Sequence, residues 1–100
     1  MMEKDTTILK LIEQLRSLID FNLMTIIDYW EGDLCAIGLT KGDRLVYIST
    51  IAHLDSSVPK YDFDLEISTG SRPDQFIVSK KGRGVLLVEL VQEIKLFLAI

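Results

Sequence analysis

Apolar and acidic residues alternate without a break from position 61 to position 67, and this run constrains the fold more than any other feature. The apolar positions are Tyr61, Phe63, Leu65 and Ile67, and the acidic positions are Asp62, Asp64 and Glu66. A β-strand sends successive side chains to opposite faces, so the run predicts a strand that places its apolar groups in a core. The opposite face then carries a row of three carboxylates about 6–7 Å apart.

A helix and three further strands are predicted before this run. Apolar residues recur three and four positions apart over Thr6–Ile19, which is the spacing of one helical face, and Asp5 or Thr6 is placed to cap the helix. Runs rich in apolar and β-branched residues then predict strands at Thr25–Trp30, Leu34–Leu39 and Leu45–Thr50. Short turns that contain glycine separate these strands, which we therefore expect to pair as antiparallel neighbours.

The segments around the alternating strand are less regular. The polar stretch His53–Lys60 predicts a loop before it, and Ser68–Asp74 predicts a second loop after it. Phe76–Val78 predicts a short strand, and Ser79–Gly84 predicts a basic loop because it combines cations with two glycines.

Two interpretations of the last segment stay open. We prefer a mostly buried helix over Val85–Ile100, because its polar positions Glu89, Gln92 and Glu93 lie three and four apart. The alternative is a hairpin that pairs Gln75–Ser79 with Val85–Leu90. The preferred elements predict a single α+β domain over residues 1–100. It has an N-terminal helix, an antiparallel sheet of four or five strands, and a C-terminal helix on the same sheet face. The open face of the sheet is then polar and available to a partner.

Charge and cysteine content argue against several classes of function. The net charge is −4, and the acidic middle of the chain argues against direct binding of nucleic acid, whose phosphates require cations. No apolar run reaches the ~18 residues that a membrane-spanning helix needs, and the apolar residues near the N-terminus are spaced rather than continuous, so we expect no secretory signal there. Cys35 is the only cysteine, so no internal disulfide is possible. We expect a cytoplasmic protein without membrane contact.

The acidic row, which we define as Asp62, Asp64 and Glu66, has three interpretations at this point. It is a solvated sheet face, a docking surface for a basic partner, or a site for a divalent cation. The spacing is wide for a single ion, which disfavours the cation. The docking interpretation is favoured because Asp and Glu are poor strand formers, and three such residues in one strand lower the stability of the fold.

Other candidate chemistry is weaker. His53 with Asp55 could form an oriented general base, but no nucleophile motif accompanies them, and we expect a surface loop histidine. Lys80-Lys81-Gly82-Arg83-Gly84 could hold a phosphate, but the Walker A spacing is absent, and we expect a solvated turn. Cys35 is expected in the core. We expect no catalytic residue, no metal site and no cofactor.

Trp30 and Gly38 each allow two interpretations. Tryptophan is a favoured interface anchor, and it is also a common core residue or cover for a sheet. Gly38 lies inside a predicted strand and indicates either a bulge or a close approach of another group to the backbone.

The segment Tyr29-Trp30-Glu31-Gly32-Asp33-Leu34 resembles an aromatic-aromatic-acidic-Gly-Pro-Leu segment of small bacterial proteins, with Asp33 in place of proline. More broadly, the chain is similar to the immunity proteins of bacterial toxin systems, including contact-dependent growth inhibition. That resemblance implies a small, acidic, cytoplasmic α+β protein that blocks the active site of a toxin. It assigns no functional residue to this chain.

These observations favour a binding protein rather than an enzyme. We expect it to neutralise a basic partner, such as a toxin with nuclease activity, through the acidic row with Asp55 and Trp30 at its margin. The alternative is a homo-oligomeric structural or regulatory module, for example a homodimer. The tail supports it with more apolar residues than one buried stripe needs: Leu86, Leu87, Leu90, Leu96 and Phe97. An enzyme that uses a metal at the acidic row is the third interpretation.

Overall fold

A computed structural model describes residues 3–70 and 75–100, so the predicted loop Ser68–Asp74 lies partly outside the described residues. The elements in chain order are α1 (Thr6–Leu18), β1 (Thr25–Ile27), β2 (Ala36–Lys41), β3 (Arg44–Ser49), a single 3-10 turn (Ile51–His53), β4 (Tyr61–Ser68), β5 (Phe76–Val85) and α2 (Leu87–Leu98). The strands form one antiparallel sheet in the order β1-β2-β3-β4-β5. The predicted α+β fold is confirmed.

One face of the sheet packs against both helices. Alternate residues of the three interior strands point to this face and are buried there: Ile37, Leu39, Val46, Ile48, Tyr61, Phe63 and Leu65. They form one cluster with Ile8, Leu11 and Leu15 of α1 and with Leu90, Ile94 and Leu98 of α2. The buried residues at alternate positions of β4 and those at helical spacing in α1 therefore contact one another in a shared core. Both helices lie on the same side of the sheet.

The N-terminus of α1 is fixed by hydrogen bonds. Asp5 caps the helix, because its Oδ2 accepts hydrogen bonds from the Thr7 N–H at 2.9 Å and from the Thr7 hydroxyl at 2.6 Å. The buried Lys4 ammonium donates to the carbonyls of Trp30 and Asp33, at 3.2 and 2.8 Å, and lies 2.6 Å from Asp28 Oδ1. These contacts tie the start of the helix to the connection between β1 and β2.

The same contacts correct the predicted bounds of the first strand. β1 ends at Ile27 rather than at Trp30, because Asp28 pairs with Lys4 and the carbonyl of Trp30 accepts from the Asp33 N–H at 2.8 Å. The residues after Ile27 thus form a turn instead of continuing the ladder. Side-chain contacts of this kind compete with the backbone hydrogen bonds that pair two strands.

The predicted basic loop Ser79–Gly84 is wrong, since these residues lie within the ten-residue strand β5. Two register shifts interrupt the pairing of β4 with β5, one between Tyr61 and Phe63 and one between Leu65 and Glu66. The alternative C-terminal hairpin is also wrong, and the preferred C-terminal helix is confirmed as α2. Within residues 3–70 and 75–100, no helix is long and apolar enough to cross a membrane.

Gly82 provides the clearest test of the packing between β4 and β5. An alanine Cβ at this position would lie 2.0 Å from Cε2 of the fully buried Phe63 ring. We expect Gly82→Ala to lower the free energy of unfolding by about 1–3 kcal/mol, as overpacking of a core does. Gly32→Ala is the control, because nothing lies within 4 Å of its Cβ position. Urea unfolding measures both, and equal losses would contradict the packing argument.

Candidate functional site

The outer face of the sheet, which we define as the face opposite the helices, carries the whole acidic row. Each of its carboxylates has a different neighbour on β3: Asp62 is opposite Ser49, Asp64 is opposite Tyr47, and Glu66 is opposite Leu45. The alternation in β4 therefore places the row as predicted. The surroundings of its three members differ, and these differences define the candidate site.

Asp62 is satisfied inside the chain. Its Oδ1 accepts a hydrogen bond from His53 Nε2 at 2.7 Å and another from the Gly84 backbone N–H at 2.9 Å. Burial raises the pKa of the Asp62 carboxyl, but these hydrogen bonds and the charges of His53 and Arg83 outweigh it and lower the pKa. The first register shift sets this geometry, because it leaves Arg83 and Gly84 facing the single residue Asp62. Gly84 adopts the positive φ of 63° that such a bulge requires.

Asp64 is also paired within the chain. Arg83 Nη2 donates to its Oδ1 at 3.0 Å, and Lys81 stands directly opposite it on β5. The Arg83 guanidinium is further held by the carbonyls of Phe63 and Gly82, at 3.0 and 2.7 Å. The segment predicted as a solvated basic turn therefore pairs Arg83 with Asp64 and donates the Gly84 N–H to Asp62.

Glu66 lies in a different environment from the other two. The second register shift places it opposite Val78 on β5, while Leu45 faces it from β3, so both cross-strand neighbours are apolar. Lys80 is turned away to pair with Glu93 of α2 at 2.6 Å. Burial raises the pKa of the Glu66 carboxyl, and the charge of Asp64 raises it further, against the opposing charge of Lys81. In the described part of the chain, no cation lies within ion-pairing distance of Glu66.

Aromatic rings border Glu66 and Asp64 on the outer face. The Tyr47 and Trp30 rings meet edge to face with centroids 4.7 Å apart, and the exposed Tyr29 ring lies 5.9 Å from Trp30. Burial raises the pKa of the Tyr47 hydroxyl, and the charges of Asp33, Asp64 and Glu66 raise it further. Carboxylates from two elements thus act on one phenol. We call Tyr29, Trp30, Asp33, Tyr47, Asp64 and Glu66 the outer patch.

Gly38 explains how Trp30 reaches this position. An added Cβ at Gly38 would lie 2.8 Å from Ile27 Cγ1 and 3.0 Å from Trp30 Cζ3. The glycine therefore marks a close approach to the backbone, one of the two predicted possibilities, rather than a bulge, and Trp30 is half-buried against the outer face. Trp30 both covers the sheet and borders the outer patch.

The structure gives His53 a different partner from the one that the sequence suggested. His53 pairs with Asp62 rather than with Asp55, which is exposed in the β3–β4 connection and is not part of the outer patch. Within residues 3–70 and 75–100, no three His, Cys, Asp or Glu side chains are grouped to hold a metal ion. Cys35 is buried, as expected for a core cysteine.

The sequence analysis missed Tyr47 and Asp33. Tyr47 falls between the inward-facing Val46 and Ile48, so the alternation in β3 already indicates that it points outward. Its position opposite Asp64 depends on the register between the two strands, for which the sequence carries no signal. Asp33 reaches the patch through the turn held by Lys4, a contact between distant positions in the chain.

The chain was compared with models of protein families, with curated proteins and with solved structures, and none of them matches it. The resemblance to immunity proteins therefore stays a prediction.

Substitution of Glu66 by glutamine should stabilise the fold at neutral pH. A carboxyl whose pKa is raised on folding binds more protons in the native than in the unfolded state, so that stability falls as the pH rises through the interval between the two pKa values. The penalty is complete above both values and is absent in Glu66→Gln. Urea unfolding should show the gain at pH 7 and its disappearance below about pH 4, where the carboxyl is protonated in both states.

The matched control is Asp62→Asn, for which the sign is reversed. Because the pKa of Asp62 is lowered on folding, its contribution to stability is complete above the unfolded pKa and is lost as the pH falls through the folded one. Asp62→Asn should therefore destabilise the protein at pH 7. A loss of stability in Glu66→Gln at pH 7 would show that the surroundings of Glu66 do not disfavour its charged form.

Proposed function

We propose that this protein is a cytoplasmic binding protein that uses the outer patch to capture and neutralise a basic protein partner, in the manner of a toxin immunity protein. The observation that carries the proposal is Glu66, a half-buried carboxylate between Leu45 and Val78 with no ion-pair partner among the described residues. A lysine or arginine of the partner supplies the missing counter-charge. Burial of that pair lowers the local dielectric and strengthens the attraction.

The aromatic side of the outer patch supports the same proposal. Tyr29, Trp30 and Tyr47 lie next to one another beside the carboxylates. Tyrosine and tryptophan dominate the binding energy of many interfaces, and an arginine guanidinium stacks on such rings while it pairs with a neighbouring carboxylate. Aromatic rings with adjoining acids therefore fit a basic partner better than a neutral one.

The outer patch is narrower than the surface predicted from the sequence. Asp62 and Asp64 already have intramolecular partners, and Asp55 lies outside the patch. Asp64 remains part of the outer patch because its ion-pair partner Arg83 is exposed, so the pair lies at the rim of the patch. Binding to such a patch needs no catalytic group, since a partner is inhibited by steric and electrostatic occlusion of its active site. A nuclease, whose nucleic-acid-binding groove is cationic, is the class of partner that this charge distribution fits.

Capture of the partner from source-cell lysate tests the proposal. We expect the wild type to retain a basic protein at moderate salt and to release it at high salt, because the contact is electrostatic. Glu66→Lys should weaken retention by about 2 kcal/mol or more, roughly thirtyfold in Kd, since it places like charges in contact. The captured protein is then assayed for nuclease activity with and without the wild-type chain.

The control variant is Glu13→Lys, which makes the same change of charge at an exposed position on α1. Circular dichroism establishes that both variants are folded. If Glu66→Lys retains the same basic protein as Glu13→Lys does, the outer patch is not the binding surface. This design avoids reversing Asp62 and Asp64, whose loss would also break contacts within the fold.

A homo-oligomeric module is the second candidate function, and exposed apolar residues around α2 favour it. Leu86, Val88 and Leu96 have exposed fractions of 46, 67 and 78%. Apolar surface of this kind is commonly covered by a partner subunit. Light scattering at high protein concentration should detect a dimer if this function holds, and a strict monomer would exclude it.

A further inference from the structure

A cavity of about 320 Å³ lies between α1 and the connection from β3 to β4, away from the outer patch. Its wall includes Lys10 and Gln14 from α1, and Thr50, His53, Lys60 and Tyr61 from the connection and the start of β4. The described residues that line it include two lysines and no carboxylate. The two lysines make the lining complementary to an anion, while the nearby carboxylates of Asp5 and Asp62 lie behind it, hydrogen-bonded to Thr7 and His53.

The lysines of the cavity are available for a ligand. In the described part of the chain, neither Lys10 nor Lys60 has a hydrogen bond or ion pair with a carboxylate, whereas Lys4, Lys80 and Arg83 each have one. Both residues are exposed, so a bound anion does not have to break an internal ion pair to reach either ammonium group. An anion held by two ammonium groups gains charge-assisted hydrogen bonds.

The wall of the cavity is already ordered by internal hydrogen bonds. The Thr7 hydroxyl donates to Asp5 Oδ2 at 2.6 Å and lies 2.7 Å from the Thr50 hydroxyl, which must therefore donate to it. His53 Nε2 donates to Asp62 at 2.7 Å on the far side. A ligand that enters this cavity does not have to order these side chains, which reduces the entropy lost on binding.

An apolar cavity of about 300 Å³ adjoins the first one and shares Gln14, Pro59 and Tyr61 with it. Its apolar wall is formed by Val58, Leu86, Leu87 and Val88. Three of these are exposed, with Val58 at 51% and Val88 at 67%, and burial of such surface is favourable. A cationic cavity beside an apolar one matches a ligand with an anionic head and an apolar tail.

We propose that these adjoining cavities form a binding site for a small amphiphilic organic anion. Its carboxylate or phosphate head lies between Lys10 and Lys60, and its short alkyl or aryl tail lies on Val58, Leu86 and Val88. The site shares no residue with the outer patch, so it is independent of the proposed partner binding.

NMR titration of the full chain with chosen probes tests this proposal. Octanoate and octyl phosphate carry the two possible anionic heads, acetate lacks the tail, and octylammonium has the same tail with the opposite charge. We expect saturable shifts of the amide signals of residues 50–61 and 86–88 with octanoate or octyl phosphate, and whichever binds more tightly identifies the head. Acetate should bind at least about tenfold more weakly, and octylammonium should leave these signals unshifted.

Two variants test the role of the lysines. Lys10→Gln/Lys60→Gln should weaken octanoate binding about tenfold or more, while Lys95→Gln, which removes an exposed cation from α2, should bind like the wild type. The proposal is overturned if the double variant binds octanoate as well as Lys95→Gln does. It is equally overturned if octylammonium shifts the same signals, if acetate binds as tightly as octanoate, or if no probe saturates by about 10 mM.

Discussion

The contact between the Phe63 ring and the backbone of Gly82 sets the arrangement of β4 and β5. Phe63 is fully buried, and its ring occupies the space that any side chain at position 82 would need. The bulge that follows in β5 turns the Gly84 N–H towards Asp62 and the Arg83 guanidinium towards Asp64. One packing contact in the core is thus coupled to the hydrogen bonds that two carboxylates accept on the opposite face.

The second irregularity in this strand pair gives Glu66 an apolar neighbour. Lys80 lies opposite the inward-facing Leu65 and pairs with Glu93 on the helix side, and the register shift after Leu65 places Val78 rather than Ser79 opposite Glu66. A regular ladder would have alternated without interruption and set different side chains on the outer face. The unequal environments of the three acids therefore follow from where the bulges lie, not from the composition of β5.

Local patterns in the sequence predicted α1, the burial of alternate residues in β4, the strands β2 and β3, and the preferred C-terminal helix. They failed for β5, because lysines and glycines such as Lys81 and Gly82 are locally typical of a turn. What holds them in a strand is the neighbouring β4, which supplies hydrogen-bond partners and the carboxylate opposite Lys81. The pairing of His53 with Asp62 is likewise a tertiary contact that spacing along the chain does not encode.

The different environments of the three acidic side chains also bear on function. Folding stability alone favours a neutral side chain or a paired carboxylate at position 66, and the chain provides such pairing for Asp62 through His53 and for Asp64 through Arg83. A carboxylate between Leu45 and Val78 that has no ion-pair partner among the described residues is unfavourable in the isolated protein, and it would become favourable with a partner's cation buried against it. The outer patch and the cationic cavity then have opposite charge preferences within one small chain.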